Sequence, residues 1–202
     1  QEQREDYFDS GYAKMEGLIP KNTLVELRRV IDKVLDASRE ETQSGTVFDL
    51  GPGHSPQKPV LRRLKKPDEY DQVFWDFASG LIADVASDIA GPDVVFHHSK
   101  LNFKWNDGSD EVKWHQDAQF FPHTNYNVFT IGCYLNDTGL EDGPLAVMPG
   151  SHQGELYNLY HGETWAGCLT DEDAGSLSME DAEYLTGGEG SITIHNCRTL
   201  HF

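Results

Sequence analysis

The chain has 202 residues, 38% of them hydrophobic and 25% charged, and carries a formal net charge of −18. This length and composition are typical of a globular domain with a sizeable core. The negative charge argues against partners that present phosphate, so we expect neither nucleic acid nor an anionic membrane surface as a partner. No apolar run in the sequence is long enough to span a membrane.

Three widely spaced cysteines occur, Cys133, Cys168 and Cys197. An odd number without a CxxC pair predicts neither a disulfide framework nor a zinc knuckle. We interpret them as reduced thiols, which favours a cytoplasmic location. The sequence does not begin with Met and stops just after His201, so we expect both ends to be clipped relative to the natural protein.

Residues 1–92 predict helices joined by a loop. Asn22 or Thr23 caps the first long helix, whose apolar face is Leu24, Leu27, Val30, Ile31, Val34 and Leu35. Gly and Pro are frequent at 40–60 and predict a loop, which is either a lid or a plain connector. A second helix follows Pro67 and ends at Gly91-Pro92.

From residue 94 the pattern changes to the period of two that is typical of strands. Strands are predicted at 94–105, 127–135, 145–148 and 191–201, with a turn at Asn106–Ser109. An acidic insertion is predicted at about 153–186, with a short helix near 178–185. We therefore expect one domain over 1–202, in which an antiparallel sandwich or barrel at 93–202 is buttressed by the helices of 1–92.

The sequence Trp114-His115-Gln116-Asp117 contains a candidate metal site. Residues two apart on an extended segment point to the same face, so His115 and Asp117 aim at one point. They would form two thirds of a 2-His-1-carboxylate site, which leaves open positions on the metal and suits non-haem Fe(II). Zinc binding by the same residues is a chemical alternative.

The third ligand must come from elsewhere, and spacing alone leaves His195 and His201 as alternatives. Alternate residues from Ser191 to His201 are mostly polar, which fits a strand lining a cavity. Asn196-Cys197-Arg198 is alternatively a bend between two strands, which would break this alternation.

Three segments carry a resemblance to a known family. They are Trp114–Asp117, then Leu135-Asn-Asp-Thr-Gly-Leu-Glu-Asp-Gly-Pro-Leu-Ala-Val-Met-Pro-Gly-Ser-His152, then Gly190-Ser-Ile-Thr-Ile-His-Asn-Cys-Arg-Thr-Leu-His201. In this order they resemble the phytanoyl-CoA dioxygenase family, and the likeness runs from about Tyr7 to the end of the chain. The resemblance implies a double-stranded β-helix (jelly-roll) core and an oxygenase that depends on Fe(II) and 2-oxoglutarate.

The resemblance also implies roles for individual residues. The iron ligands would be His115, Asp117 and His201. The 2-oxoglutarate contacts would be Lys104, Gln116, Asn102 and Thr130, although each is alternatively a satisfied polar group of the barrel. The substrate contacts would be Trp114, Phe120, Phe121, His98 and Arg198, with His123 and Tyr126 nearby, although each is alternatively a packing residue.

The sequence departs from the family where Phe202 follows the last His. The family usually continues with a Gly-Ser-like pair and an Arg that grips the 2-oxoglutarate carboxylate. That Arg cannot be assigned here, so it lies beyond the sequence or Lys104 takes more of its role. Some cation is needed, because a buried dicarboxylate without a partner would be costly.

The expected function is hydroxylation of a small organic metabolite with O2, coupled to decarboxylation of 2-oxoglutarate to succinate. Asp117 favours hydroxylation, since related halogenases lack this carboxylate. The acidic chain favours a neutral or cationic substrate over a bulky polyanion. Two alternatives are a non-catalytic metal or small-molecule binding module on the same fold and a zinc-dependent hydrolase.

Overall fold

The computed structural model describes residues 1–105 and 112–202, so the turn predicted at Asn106–Ser109 lies outside the described residues. Contacts divide the chain into two compact units. The first unit, which we call the site unit, consists of Gln1–Leu18 and Val112–Phe202. The second, the helical unit, is Ile19–Glu111.

The described part of the chain contains both helices and strands. The α-helices are α1 Glu2–Ser10, α2 Lys21–Ser38, α3 Pro67–Tyr70, α4 Gln72–Phe77, α5 Ala83–Ala90 and α6 Asp171–Gly175. The strands are β1 Tyr12–Met15, β2 Phe48–Leu50, β3 Leu61–Lys65, β4 Lys100–Asn102, β5 Phe129–Cys133, β6 Ala146–Val147, β7 Tyr160–His161, β8 Thr164–Trp165, β9 Glu183–Tyr184 and β10 Ile192–Asn196. No helix in the described ranges is both long and apolar enough to cross a bilayer.

In the helical unit, α2 buries the predicted apolar face through Leu24, Leu27, Val30 and Val34. It begins at Lys21 after Pro20, slightly before the predicted caps. An antiparallel sheet in the order β2-β3-β4 completes the unit.

The prediction of one continuous helix after Pro67 is wrong. Asp71 has extended backbone angles and caps α4 by accepting a hydrogen bond from the Val73 N–H at 3.0 Å. Gly80 then leaves helical geometry inside a wide turn at Ala78–Ile82, so the segment becomes three helices, α3, α4 and α5. The apolar period continues through both breaks, which explains why the sequence pattern did not reveal them.

The strand predicted at 94–105 is also much shorter in the structure. Only Lys100–Asn102 pairs with a neighbouring strand, β3. Val95 is 91% exposed, so the alternation at 94–99 does not reflect one buried face.

In the site unit, the central strand β10 lies between β1 and β5 in an antiparallel sheet. A second run of backbone pairs joins His115 to His201, His201 to Val147, and β6 to β9. The chain therefore combines several short sheets with helices, as the coarse prediction states. Jelly-roll closure stays a prediction.

The predicted insertion at 153–186 has its own small elements. These are the hairpin β7–β8, the helix α6 and the strand β9. The helix predicted near 178–185 is replaced by a short 3-10 turn at Met179–Asp181 that leads into β9. Thr170 caps α6, a signal that the sequence interpretation missed.

Candidate metal centre

The two predicted metal-binding segments lie side by side in the site unit. The His115 N–H donates to the His201 carbonyl at 2.9 Å, and the His201 N–H donates to the His115 carbonyl at 3.0 Å. This reciprocal pairing is that of directly opposite residues in an antiparallel ladder. Residues 86 positions apart are thus fixed against each other by backbone hydrogen bonds.

Asp117 brings a carboxylate to the two imidazoles. Its Oδ1 lies 3.8 Å from the His115 Nε2 and 3.8 Å from the His201 Nε2. One ligand atom from each of the three residues lies within 4.8 Å of the others. These distances exceed those of hydrogen bonds, so three ligand atoms surround one point without bonding to each other.

The hydrogen bonds of the two imidazoles show which nitrogen of each neutral ring keeps its lone pair. His115 Nδ1 lies 2.8 Å from the Lys113 carbonyl, and His201 Nδ1 lies 2.8 Å from the Thr199 carbonyl. A carbonyl only accepts, so in each neutral ring Nδ1 carries the hydrogen and Nε2 keeps its lone pair. Both lone pairs are therefore on the nitrogens nearest Asp117, which is how proteins commonly orient metal-binding histidines.

The charges around the centre favour the ligating protonation states. Burial alone would raise the pKa of Asp117, but the close approach of the His195 imidazole and the charges that His201, His195 and His115 carry when protonated hold that pKa well below its usual range. Burial, followed by repulsion from His195 and His115, lowers the pKa of His201 well below its usual value. An ionised carboxylate and a neutral imidazole are the forms that bind metal. The donor set of two imidazoles and one carboxylate fits Fe(II).

The choice between His195 and His201 follows from the end of β10. The strand stops at Asn196, and a turn at 197–198 precedes Thr199, so the bend considered from the sequence is present. His201 consequently faces Asp117 Oδ1, whereas His195 Nε2 lies 3.5 Å from the other oxygen, Oδ2. His201, and not His195, belongs to the group that could hold a metal.

Trp114 and Gln116 occupy positions on either side of His115. Trp114 is 8% exposed and packs in a core cluster with Leu159, Leu169 and Leu200. Gln116 is fully buried, and its amide bonds the Glu155 and Arg198 carbonyls and the Tyr157 N–H. Packing therefore accounts for both residues, and their predicted roles toward substrate and 2-oxoglutarate stay predictions.

A cavity of about 380 Å³ lies beside Asp117 within the site unit. It is lined by residues following Asp117, among them Phe121, His123 and Tyr126, and by Leu156, Tyr160 and Trp165 from the insertion. The last three were missed from the sequence, since nothing in an acidic insertion indicated which side chains turn toward the metal segment. Phe120 connects the two regions, with its ring centroid 5.8 Å from His115 and 5.1 Å from Trp165.

Arg198 lies at one side of this region. Its Nη2 donates to the Gly154 carbonyl at 2.6 Å, and its guanidinium carbon lies 4.7 Å from the centroid of the Tyr126 ring. These contacts orient Arg198 through the protein itself, and its predicted contact with substrate stays a prediction.

A family model described as phytanoyl-CoA dioxygenase matches residues 7–202. The chain belongs to the phytanoyl-CoA dioxygenase family. The prediction of this family from three sequence segments is thereby confirmed.

Two similar proteins are named as dioxygenases. A probable alpha-ketoglutarate-dependent hypophosphite dioxygenase of Stutzerimonas stutzeri is 30% identical over 204 residues, covering 99% of this chain and 71% of that protein. An ectoine dioxygenase of Sphingopyxis alaskensis is 24% identical and covers 95% of this chain and 66% of that protein. The chain thus spans about two thirds of the length of these relatives.

Solved structures share the fold. The S. alaskensis protein EctD with bound Fe superposes with a TM-score of 0.79 at 23% identity, covering 99% of this chain and 69% of that one. The same protein with 2-oxoglutarate and 5-hydroxyectoine gives a TM-score of 0.77 at 22% identity, covering 99% and 68%. The predicted enzyme class, a non-haem Fe(II)- and 2-oxoglutarate-dependent oxygenase, and its two cofactors are confirmed for the family.

The remaining predicted contacts lie in the helical unit. Lys104 is exposed, and Asn102 Oδ1 accepts a hydrogen bond from Arg63 Nε at 2.9 Å. His98 is exposed and its Nδ1 lies 2.7 Å from that of His97. Their roles toward 2-oxoglutarate and substrate in this dioxygenase-family chain stay predictions. Thr130, in the site unit, donates its hydroxyl hydrogen to Asp117 Oδ2 at 2.9 Å.

Proposed function

We propose that this chain catalyses the hydroxylation of a small organic metabolite by O2, with conversion of 2-oxoglutarate to succinate and CO2. The observation that supports this most strongly is the position of Asp117 Oδ1, 3.8 Å from the Nε2 atoms of both His115 and His201. One oxygen atom of O2 enters the C–H bond of the substrate as a hydroxyl group, and the other enters succinate. We also infer jelly-roll closure of the site unit, which the pairing of His201 with both His115 and Val147 supports.

His115, Asp117 and His201 would hold the iron through Nε2, one carboxylate oxygen and Nε2. Iron bound there would supply the redox chemistry that couples O2 to the oxidation of 2-oxoglutarate and substrate. The protein holds both imidazoles in the required tautomer through the Lys113 and Thr199 carbonyls, so each neutral ring offers its Nε2 to the metal.

The co-substrate needs donors of its own. Lys104 and, as a weaker candidate, Asn102 stay the 2-oxoglutarate contacts that the resemblance implies, and both lie in the helical unit. Gln116 is a weaker candidate, because its amide hydrogens already go to two backbone carbonyls. Thr130 is weaker as well, because a hydroxyl has one hydrogen and Asp117 receives it.

We infer that the substrate occupies the cavity beside Asp117. Aromatic rings are prominent around this cavity. The centroid of the Trp165 ring lies 5.1 Å from that of Phe120 and 5.1 Å from that of Tyr160. Among the described residues that line the cavity, none is Asp, Glu, Lys or Arg. Among these lining residues, His123 alone can carry a positive charge, so a fully charged group would find few ion-pair partners there. This favours an uncharged, ring-contacting portion of the substrate.

The first test is 2-oxoglutarate turnover, measured as succinate release in a metabolite screen with Fe(II) and O2. We expect His115→Ala and Asp117→Ala each to reduce turnover by at least about 100-fold, because the metal loses a ligand. The exposed Asp181→Ala should leave turnover unchanged.

The same assay separates the alternatives. Full turnover in either ligand variant would contradict the proposal. Substrate conversion that needs metal but not O2 would favour a zinc-dependent hydrolase, and 2-oxoglutarate or metal binding without any turnover would favour a non-catalytic binding module.

The second test concerns the cavity. We expect Trp165→Ala to raise the substrate KM by about tenfold, equivalent to about 1.4 kcal/mol of lost contact, with little change in the affinity for 2-oxoglutarate. Trp75→Ala is the matched control, because Trp75 in the helical unit is 39% exposed and Trp165 is 41% exposed. Equal KM values for Trp165→Ala and the unaltered protein would place the substrate elsewhere.

A further inference from the structure

The second oxygen of Asp117 faces two side chains outside the group of His115, Asp117 and His201 that could hold a metal. Thr130 on β5 and His195 on β10 are direct cross-strand partners in an antiparallel pair. Cross-strand partners project from the same face of a sheet, so both side chains reach the same side of Asp117. Thr130 Oγ1 donates to Asp117 Oδ2 at 2.9 Å, and His195 Nε2 lies 3.5 Å from the same oxygen.

His195 is buried without a hydrogen bond to any described residue. It is 4% exposed, and neither of its ring nitrogens has a hydrogen-bond partner in the part of the chain that the structure describes. A buried polar group without a partner is energetically costly, so a nearby acceptor matters for His195. Asp117 Oδ2 is an acceptor that a small rotation of the imidazole would bring into hydrogen-bonding range.

The two oxygens of Asp117 thus have different surroundings. Oδ1 faces the Nε2 atoms of His115 and His201. Oδ2 faces the donors on the β5–β10 sheet. A carboxylate without such donors can rotate or offer both oxygens to one metal, which would block a position that the co-substrate needs.

We propose that Thr130 and His195 form a donor pair that holds Asp117 Oδ2, so that Oδ1 alone is presented to the iron. They are positioning residues that act on the metal through Asp117. The His195 ring also packs against His201, with the ring centroids 4.2 Å apart, so the Thr130 variants report on Asp117 most directly. The inference rests on the proposed function, because it assumes that Asp117 is an iron ligand.

Anaerobic titration with Fe(II), followed by 2-oxoglutarate, tests this pair without requiring turnover. We expect Thr130→Val and His195→Leu each to weaken Fe(II) binding by about tenfold, the usual effect of losing a partner of a metal ligand. They should also shift the visible absorption band of the Fe(II)–2-oxoglutarate complex. Thr130→Ser and His195→Gln, which retain a donor, should restore affinity to within about threefold.

Thr170→Val is the matched control. Thr170 also donates its hydroxyl to a carboxylate, Asp173 Oδ2, at 2.7 Å, but it does so at the cap of α6. This variant removes the same kind of hydrogen bond and should lower thermal stability without changing Fe(II) affinity or the absorption band.

The outcomes separate this inference from the proposed function. If the unaltered protein fails to bind Fe(II), the proposed function fails. If it binds Fe(II) and 2-oxoglutarate but Thr130→Val keeps its affinity and spectrum, only the donor pair is refuted. Equal losses in Thr130→Val and Thr130→Ser would also refute it, because the donor would then not matter. The Thr130 series decides the question even if His195→Leu does not fold.

Discussion

Gln116 separates the two metal-facing residues of its segment and is fixed by three backbone groups. Its Nε2 donates to the Glu155 carbonyl at 2.9 Å and the Arg198 carbonyl at 2.7 Å, and its Oε1 accepts from the Tyr157 N–H at 2.9 Å. One side chain thereby joins the metal segment to the insertion and to the turn before His201. Alternation then turns its neighbours, His115 and Asp117, to the opposite side.

Replacing Gln116 by Leu should destabilise the protein by at least about 2 kcal/mol, because three buried backbone groups lose their partner. Chemical denaturation measures this loss. Gln72→Leu is the control: Gln72 is exposed on α4 and bonds Asp76, so its replacement should change stability by no more than about 0.5 kcal/mol. Equal stabilities of the two variants would show that the hydrogen bonds of the Gln116 amide do not stabilise the protein.

At the scale of single residues, part of the candidate metal site could be predicted from the sequence. The His-x-Asp spacing was sufficient to predict that His115 and Asp117 face together. It could not choose between His195 and His201, because the choice depends on the turn at 197–198. The hydrogen bond from Thr130 to Asp117 Oδ2 could not be predicted from the sequence either. It depends on how the 3-10 turn at Asp117–Gln119 orients the carboxylate.

Among the elements, the corner between α1 and β1 supports the turn that precedes His201. Gly11 ends α1 with φ +84°, a left-handed conformation that favours glycine. Its carbonyl accepts hydrogen bonds from the Asn196 N–H and the Thr199 hydroxyl, both at 2.8 Å. An N-terminal element thus positions the C-terminal metal segment.

We expect Gly11→Ala to lower stability by about 3 kcal/mol and to weaken Fe(II) binding. A Cβ at this position would meet His152 Nδ1 and lie 2.7 Å from Thr199 Oγ1, in addition to the strain of the positive φ. Gly17→Ala isolates the strain, because Gly17 has φ +61° and no atom of the described residues lies within 4 Å of the added Cβ. This variant should cost about 1 kcal/mol. Urea denaturation and Fe(II) titration of both variants measure the difference, and equal effects would contradict a supporting role for this corner.

The elements themselves were predictable where one face is buried along the whole segment. The apolar stripe of α2 satisfied this condition and was found. The strand β10 is buried on both faces and was found from its alternation of apolar and polar residues. The helix after Pro67 was predicted too long, because neither the cap at Asp71 nor the departure of Gly80 from helical geometry interrupts the apolar period.

At the scale of the whole molecule, the boundary between parts follows strand pairing rather than composition. The sequence suggested a division near residue 92, whereas contacts place Gln1–Leu18 with Val112–Phe202. The reason is that β1 pairs with β10, and register between distant strands leaves no mark in a single sequence. The single domain, the cytoplasmic location and the oligomeric state stay open predictions, and the net charge bears only on which classes of partner are disfavoured.

The central claim is that three side chains from two distant segments close on one iron atom. A crystal structure grown anaerobically with Fe(II), with the metal located by its anomalous signal, tests this claim most directly. We predict one iron bonded to the Nε2 atoms of His115 and His201 and to a single oxygen of Asp117, with His195 outside bonding distance. Iron bound through His195 in place of His201, or at a site without Asp117, would contradict the account.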